Sequence, residues 1–409
     1  MLLVVLAFAG AEAGLRFLAS RGRTEMTATH MSDPVLHHRL RPNLTAQVRG
    51  VEFRTNSLGL HDREYPARKP AGVFRILLLG DSMTEGGGLA LEATVAKQAE
   101  SRLNAGGCRS PIEIVNGGVA SYSPILEYLY LEALTPVFEP DLVVLNFDMT
   151  DVHDDLIRTA VASLGPDGLP VAVPSNRRLE TAMFLPPLAK PPFLRFLDPL
   201  ERGLSRLSIY QAFRRSGAGR RLLGPMRPTP ERLEKLGLVG DIRYDPMAIT
   251  RDGEGPGVTQ AWRLTERYLA GIHGMARRRG MAFAVAVYPH PHQVAADESP
   301  LGRRQFALAP GLFTSEAPFR RIEAVGRREG FVVINLLEHF RRRRTTDGPL
   351  SWEHDIHQNP RGARVFADGL VAGLLDRDLL RCRPASKQRV DDGRQRRGLA
   401  DGHDQPKRQ

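Results

Sequence analysis

The stretch Phe74-Arg75-Ile76-Leu77-Leu78-Leu79-Gly80-Asp81-Ser82-Met83-Thr84-Glu85-Gly86 joins a short apolar run to a serine held between glycines. A run of this length, bounded by Gly, reads as a buried strand rather than a helix. Ser82 then stands at the carboxyl mouth of that strand, where the next helix offers unpaired backbone N–H groups. A serine placed this way is suited to nucleophilic attack. It needs a histidine base, an orienting carboxylate and oxyanion donors from elsewhere in the chain. Taken alone, Gly-Asp-Ser is also a good helix N-cap, and Asp81 reads as the residue that ties the turn to nearby backbone N–H groups.

Outward from this stretch the chain alternates strand and helix signals. Strands are expected at 74–79, 112–116, 142–147, 282–288 and 331–336. Helices are expected near 92–105, 124–136, 258–279, 315–329 and 360–375. Such alternation argues for a parallel sheet covered on both faces. Short connections after the strands bring Ser82, Gly118 and Thr150 to one edge, where open sheets bind ligands.

Gly80-Asp81-Ser82-Met83-Thr84-Glu85-Gly86 resembles the first block, G-D-S-x-T-x-G, of the SGNH or GDSL esterase and lipase superfamily. The second block, Asn-x-Gly, corresponds to Asn116-Gly117-Gly118. The third, Gly-x-Asn-Asp, corresponds in degenerate form to Asp148-Met149-Thr150-Asp151. The last, an Asp and a His near the C-terminus, corresponds to Asp355-Ile356-His357. The resemblance covers about residues 72 to 382. It implies a three-layer α/β/α fold with a mostly parallel five-stranded sheet, flavodoxin-like, carrying a large insertion after the third strand. It also implies a serine esterase that hydrolyses an acyl ester, short-chain or acetyl, through an acyl-enzyme. The same residues would serve an O-acyltransferase that modifies a cell-envelope polysaccharide. A non-catalytic glycan-binding relative is a third reading.

On this reading Ser82 is the nucleophile, His357 the base and Asp355 the residue that holds the imidazole tautomer. The family spacing is Asp-x-x-His, shortened here to Asp-x-His. In an extended segment residues two apart face one side, with Cα atoms about 6.5 Å apart, so carboxylate and imidazole can meet. His354 is the competing base and reads better as a surface residue. The oxyanion donors implied are the N–H groups of Ser82 and Gly118 and, in place of the family asparagine, the Thr150 hydroxyl. Asn146 lies about 13 Å back along its strand and cannot substitute. Asn116 reads as a turn residue that supports Gly118. His290 and His292, after the fourth strand, are weak candidates for substrate binding, with a rigid proline loop as the bland reading. Asp151-Val152-His153-Asp154-Asp155 reads as an acidic helix start rather than a metal cluster. No metal and no cofactor is assigned.

The 409 residues carry a formal charge of +11, with only six lysines among 57 basic residues. An arginine-rich composition bias explains this, and attraction to acidic polysaccharide or anionic lipid is the sharper alternative. No nucleic-acid-binding signature is present. The two cysteines, Cys108 and Cys382, exclude a zinc knuckle or a disulfide framework, and free thiols are favoured over a pair. Residues 1–20 read as a signal peptide or membrane anchor, which puts the protein in the cell envelope, anchored in the inner membrane facing the periplasm or exported. Residues 21–71 read as an N-terminal arm containing Asn56-Ser57-Leu58-Gly59, and 72–382 as the hydrolase domain. Within that domain, 152–257 forms a cap-like insertion. Residues 383–409 form a basic, disordered tail.

Overall fold

The computed structural model describes residues 28–66, 68–106, 108, 110–175, 230–303 and 315–380. The expected anchor or signal at 1–20, the tail at 383–409, Cys382 and residues 176–229 of the insertion lie outside the described residues. The first strands of the described residues form two antiparallel hairpins, β1 (His30–Asp33) with β2 (His37–Leu40) and β3 (Thr45–Val48) with β4 (Val51–Arg54). Val48-Arg49-Gly50-Val51 forms the second turn, with φ 51° at Arg49 and 78° at Gly50. Positive φ at both central residues is the hairpin turn whose twist matches its strands.

The core then runs β5 (Phe74–Gly80), α1 (Ser82–Glu85), α2 (Val95–Ala105), β6 (Ile112–Gly118), α3 (Pro124–Phe138), β7 (Leu142–Phe147) and α4 (Asp151–Thr159). A two-stranded ribbon follows, β8 (Ser163–Leu164) and β9 (Pro170–Ala172), then α5 (Pro230–Lys235) and α6 (Val258–Arg278). The chain closes with β10 (Ala282–Val287), α7 (Pro291–Val294), α8 (Ala317–Glu329), β11 (Val332–Asn335), α9 (Leu337–Asp347), β12 (Ser351–Trp352), β13 (Asp355–Gln358) and α10 (Pro360–Asp376).

Five strands form one parallel sheet in the order β11-β10-β7-β5-β6. This is the flavodoxin-like doubly wound topology, and its switch point lies at the carboxyl end of β5. The strands are apolar throughout because both faces are covered. Along β5 the side chains alternate between two cores. Leu77 and Leu79 join α3, α6 and α8 on one face through Ile125, Leu129, Ile272 and Phe319. Ile76 and Leu78 join α2 and α10 on the other through Ala99, Leu103, Phe366 and Leu370. The sequence placed all five sheet strands. It did not anticipate α9, which buries only Leu337 and Phe340 and carries Arg341 to Arg344, so it shows no apolar periodicity.

The arm lies along the edge strand β6. Asp62 accepts the Asn116 N–H at 2.8 Å and pairs with buried Lys97 at 2.7 Å. His61 Nδ1 lies 2.8 Å from the Glu85 carbonyl. Asn56 organises the Asn-Ser-Leu-Gly turn by accepting the Leu58 and Leu60 N–H groups. An edge strand covered in this way is closed to pairing with another chain. Among the described residues no helix is long and apolar enough to cross a membrane. Cys108 is engaged in a disulfide, which overturns the expectation of free thiols.

Candidate active site

The nucleophile turn is built on Gly80. Its φ is 157°, and a Cβ there would lie 2.2 Å from Thr84 Oγ1. A side chain is therefore excluded where the chain folds from β5 back onto α1. Asp81 caps the helix, accepting the Met83 N–H at 2.9 Å. The turn leaves Ser82 partly exposed between buried neighbours.

From the other end of the chain, β13 brings two functional side chains to the same place. His357 Nε2 lies 2.8 Å from Ser82 Oγ. His357 Nδ1 hydrogen-bonds Asp355 Oδ1, which also accepts the His357 backbone N–H at 3.0 Å. An extended strand puts residues two apart on one side, so carboxylate and imidazole meet across the shortened Asp-x-His spacing. The chain Ser82–His357–Asp355 is continuous, with Asp355 25% exposed and His357 22% exposed. Burial opposes ionisation of Asp355. The hydrogen bond and charge of His357, its N–H and Arg49 outweigh that and hold the carboxyl at about 2. His354 is exposed beside Glu353.

Two of the three expected oxyanion donors already have acceptors within the chain. The Thr150 hydroxyl donates to Asp148 Oδ1 at 2.7 Å, as does its N–H. The Gly118 N–H donates to Asn116 Oδ1 at 3.1 Å, so Asn116 does support that turn and occupies its donor. Beyond it, Val119 N–H donates to Gly80 O, Ala120 N–H to Glu85 Oε2 and Tyr122 N–H to Val119 O. Among the described residues the Ser121 N–H has no acceptor, and its backbone is left-handed, with φ 62°.

His290 and His292 are 1% and 2% exposed, so they do not line an open surface. His290 Nε2 faces Asp148 Oδ2 at 3.4 Å, and His292 Nε2 lies 3.1 Å from Thr250 Oγ1. Tyr288 Oη bridges Asp148 at 2.8 Å and Asp81 at 3.1 Å. Burial and the Asp148 charge push Asp81 well above the usual carboxylate range. Asp148 is buried too, yet the pull of His290 and the bonds from His290 and Thr150 hold it below that range. Tyr288 thus links two buried carboxyls whose affinities for a proton are pushed apart, Asp81 upward and Asp148 downward. Asp151 begins α4, and Asp155 accepts the Ile125 N–H at 3.0 Å and the Thr265 hydroxyl at 2.7 Å.

Fold and site together define a class: a flavodoxin-like α/β/α domain with serine, imidazole and carboxylate in hydrogen-bonded sequence at the sheet's carboxyl edge. No family model matches the chain, and no curated protein matches it. Among solved structures it is similar to an acetyl xylan esterase, at 12% identity over 74% of this chain and 100% of that one, with a TM-score of 0.35. It is similar to a catalytic mutant of an acetylxylan esterase from Geobacillus stearothermophilus, at 10% identity over 74% and 94%, TM-score 0.37. A psychrotrophic esterase from Pseudoalteromonas sp. is similar at 13% identity over 75% and 98%, TM-score 0.34.

Proposed function

We propose that this chain is a serine esterase of the SGNH type, cleaving a short acyl ester, with acetyl as the leading candidate, through an acyl-enzyme. The observation that carries the proposal is the continuous Ser82–His357–Asp355 hydrogen-bond chain, assembled from residues 275 positions apart. His357 Nε2 takes the Ser82 proton as Oγ attacks the ester carbonyl, and returns it to the leaving alkoxide. Water then repeats the sequence on the acyl-enzyme. Asp355 fixes the tautomer in which Nδ1 carries the proton and Nε2 accepts. The N–H group of Ser82, at the start of α1, is the donor offered to the oxyanion. An envelope location is part of the proposal, supported by the apolar Met1–Gly10 run and by the disulfide at Cys108, which suits an oxidising compartment.

The test is turnover of p-nitrophenyl esters from acetate to octanoate by wild type and Ser82→Ala. Loss of a triad nucleophile lowers kcat by about 10⁴-fold or more, so the variant should be inactive and unlabelled by a fluorophosphonate probe. Equal rates in the two proteins would remove Ser82 as the nucleophile. A preference for octanoate over acetate would remove the short-acyl assignment alone.

A further inference from the structure

Resting on the esterase reading, we propose that Arg49 is a positioning residue of the active site, and that the N-terminal arm is thereby a working part of the catalytic machinery. Arg49 occupies the tip of the β3–β4 hairpin, 306 residues before Asp355 in the sequence. Its Nη2 lies 2.6 Å from Asp355 Oδ2. The two carboxylate oxygens thus have separate partners: Oδ1 takes both N–H groups of His357, and Oδ2 takes the arginine. Without Arg49 the described residues tie the carboxylate on one oxygen only, at a site 25% exposed to water.

A second, independent feature is the glycine run Gly86-Gly87-Gly88 just after the nucleophile helix, which the triad itself does not explain. Gly88 has φ 87°, and a Cβ there would lie 2.8 Å from Arg49 Cδ. Arg49 Nη1 donates to the Gly87 carbonyl at 3.3 Å. The loop therefore lets the arginine stem cross directly above the turn that carries Ser82. The left-handed Arg49 backbone, uncommon for a residue with a Cβ, aims the side chain along this path. Arg49 Nη2 is also 3.2 Å from His357 Nδ1. Both groups donate there, so this approach is electrostatic, and the hydrogen bond goes to Asp355.

Fixing Asp355 fixes the imidazole that must meet Ser82, and small misplacements of a catalytic group are expensive in rate. Arg49→Ala should lower kcat/KM for p-nitrophenyl acetate by about 10–100-fold, mostly in kcat. Its melting temperature should stay within a few degrees, because a half-exposed ion pair contributes little to stability. Arg49→Lys, which keeps one charged donor, should retain at least about fivefold more activity than Arg49→Gln. Millimolar methylguanidinium should partly restore Arg49→Ala. In an Asp355→Ala background, Arg49→Ala should cost less than about twofold more, because the arginine acts through that carboxylate.

A wild-type rate in Arg49→Ala would overturn the proposal. So would equal activity of the Lys and Gln variants, the comparison that applies if the alanine variant fails to fold. An undiminished loss in the Asp355→Ala background would overturn it as well. If Ser82→Ala is dead while Arg49 variants are silent, only this inference fails. If Ser82→Ala is active, the reading beneath it fails.

Discussion

At the scale of single residues, what a side chain touches decides its meaning. Thr150 stands where the resembled SGNH pattern has an asparagine, and its spacing after the third strand was legible. Its hydroxyl is nevertheless held by Asp148. The cause is two residues away: Asp148 stands where the resembled SGNH pattern has a glycine, and a glycine would have no carboxylate to capture the threonine. Thr150→Val should therefore cost about 1 kcal/mol of stability, the net value of a typical hydrogen bond. Its kcat should fall by less than about tenfold, whereas a lost oxyanion donor costs about 10²–10³. Urea unfolding and p-nitrophenyl acetate kinetics on the same preparation separate the two. A hundredfold fall in kcat at unchanged stability would return Thr150 to the oxyanion. The Ser82–His357–Asp355 hydrogen-bond chain was readable because its residues lie in two local motifs. Arg49 was not, since its role depends on a meeting across 306 positions. Its one sequence trace is Arg49-Gly50 between two alternating runs, a hairpin signal.

At the scale of elements, the sheet strands were legible because buried parallel strands are continuous apolar runs between turn residues. The helices that pack on them carried a clear period: α6 buries Trp262, Leu269, Ile272 and Ala276 along one face. The arm hairpins were harder to see, being short and half polar. Their stability is tertiary, through Asp62, His61 and Asn56. Asp155 shows the same principle for helices. From α4 it holds the N-terminus of α3 through Ile125 N–H and the middle of α6 through Thr265. The sequence suggested only an acidic helix start. Asp155→Ala would leave a buried N–H and a buried hydroxyl unsatisfied, each costing about 1–3 kcal/mol. Chemical denaturation should show a lowered midpoint, with Asp155→Asn, which keeps one acceptor, falling between the two. An alanine variant as stable as wild type would mean that α3 and α6 hold their places without it.

At the scale of the whole molecule, buried acids and buried histidines pull stability in opposite directions with pH. Burial raises Asp155 from 3.8 to about 7, against the hydrogen bonds it accepts. Burial and neighbouring carboxylates also raise Glu127 and Asp151, as Asp148 does Asp81. Such groups keep a proton in the folded chain that the unfolded chain has released. Their contribution is full below the unfolded value and is lost as pH rises through the folded one. Burial lowers His38 from 6.5 to about 3, and lowers His61 and His292 as well. The unfolded chain protonates these below 6.5 while the folded chain does not, so their contribution is lost as pH falls. Between about pH 4 and 6.5 the two sets oppose one another. Above that window only the acids still change, and stability declines. Below it the histidines dominate, joined by Asp355 and Asp148, whose depressed carboxyls lose stability as they protonate. Thermal melts across pH should therefore peak between about pH 4.5 and 6.5 and fall toward pH 8. Asp155→Asn should flatten the alkaline fall by removing one of the groups that causes it. A melting temperature still climbing from about pH 6.5 to 8 would mean that the buried acids are ionised in the folded protein, and that they find partners the hydrogen-bond network around Asp81, Glu127 and Asp155 does not contain.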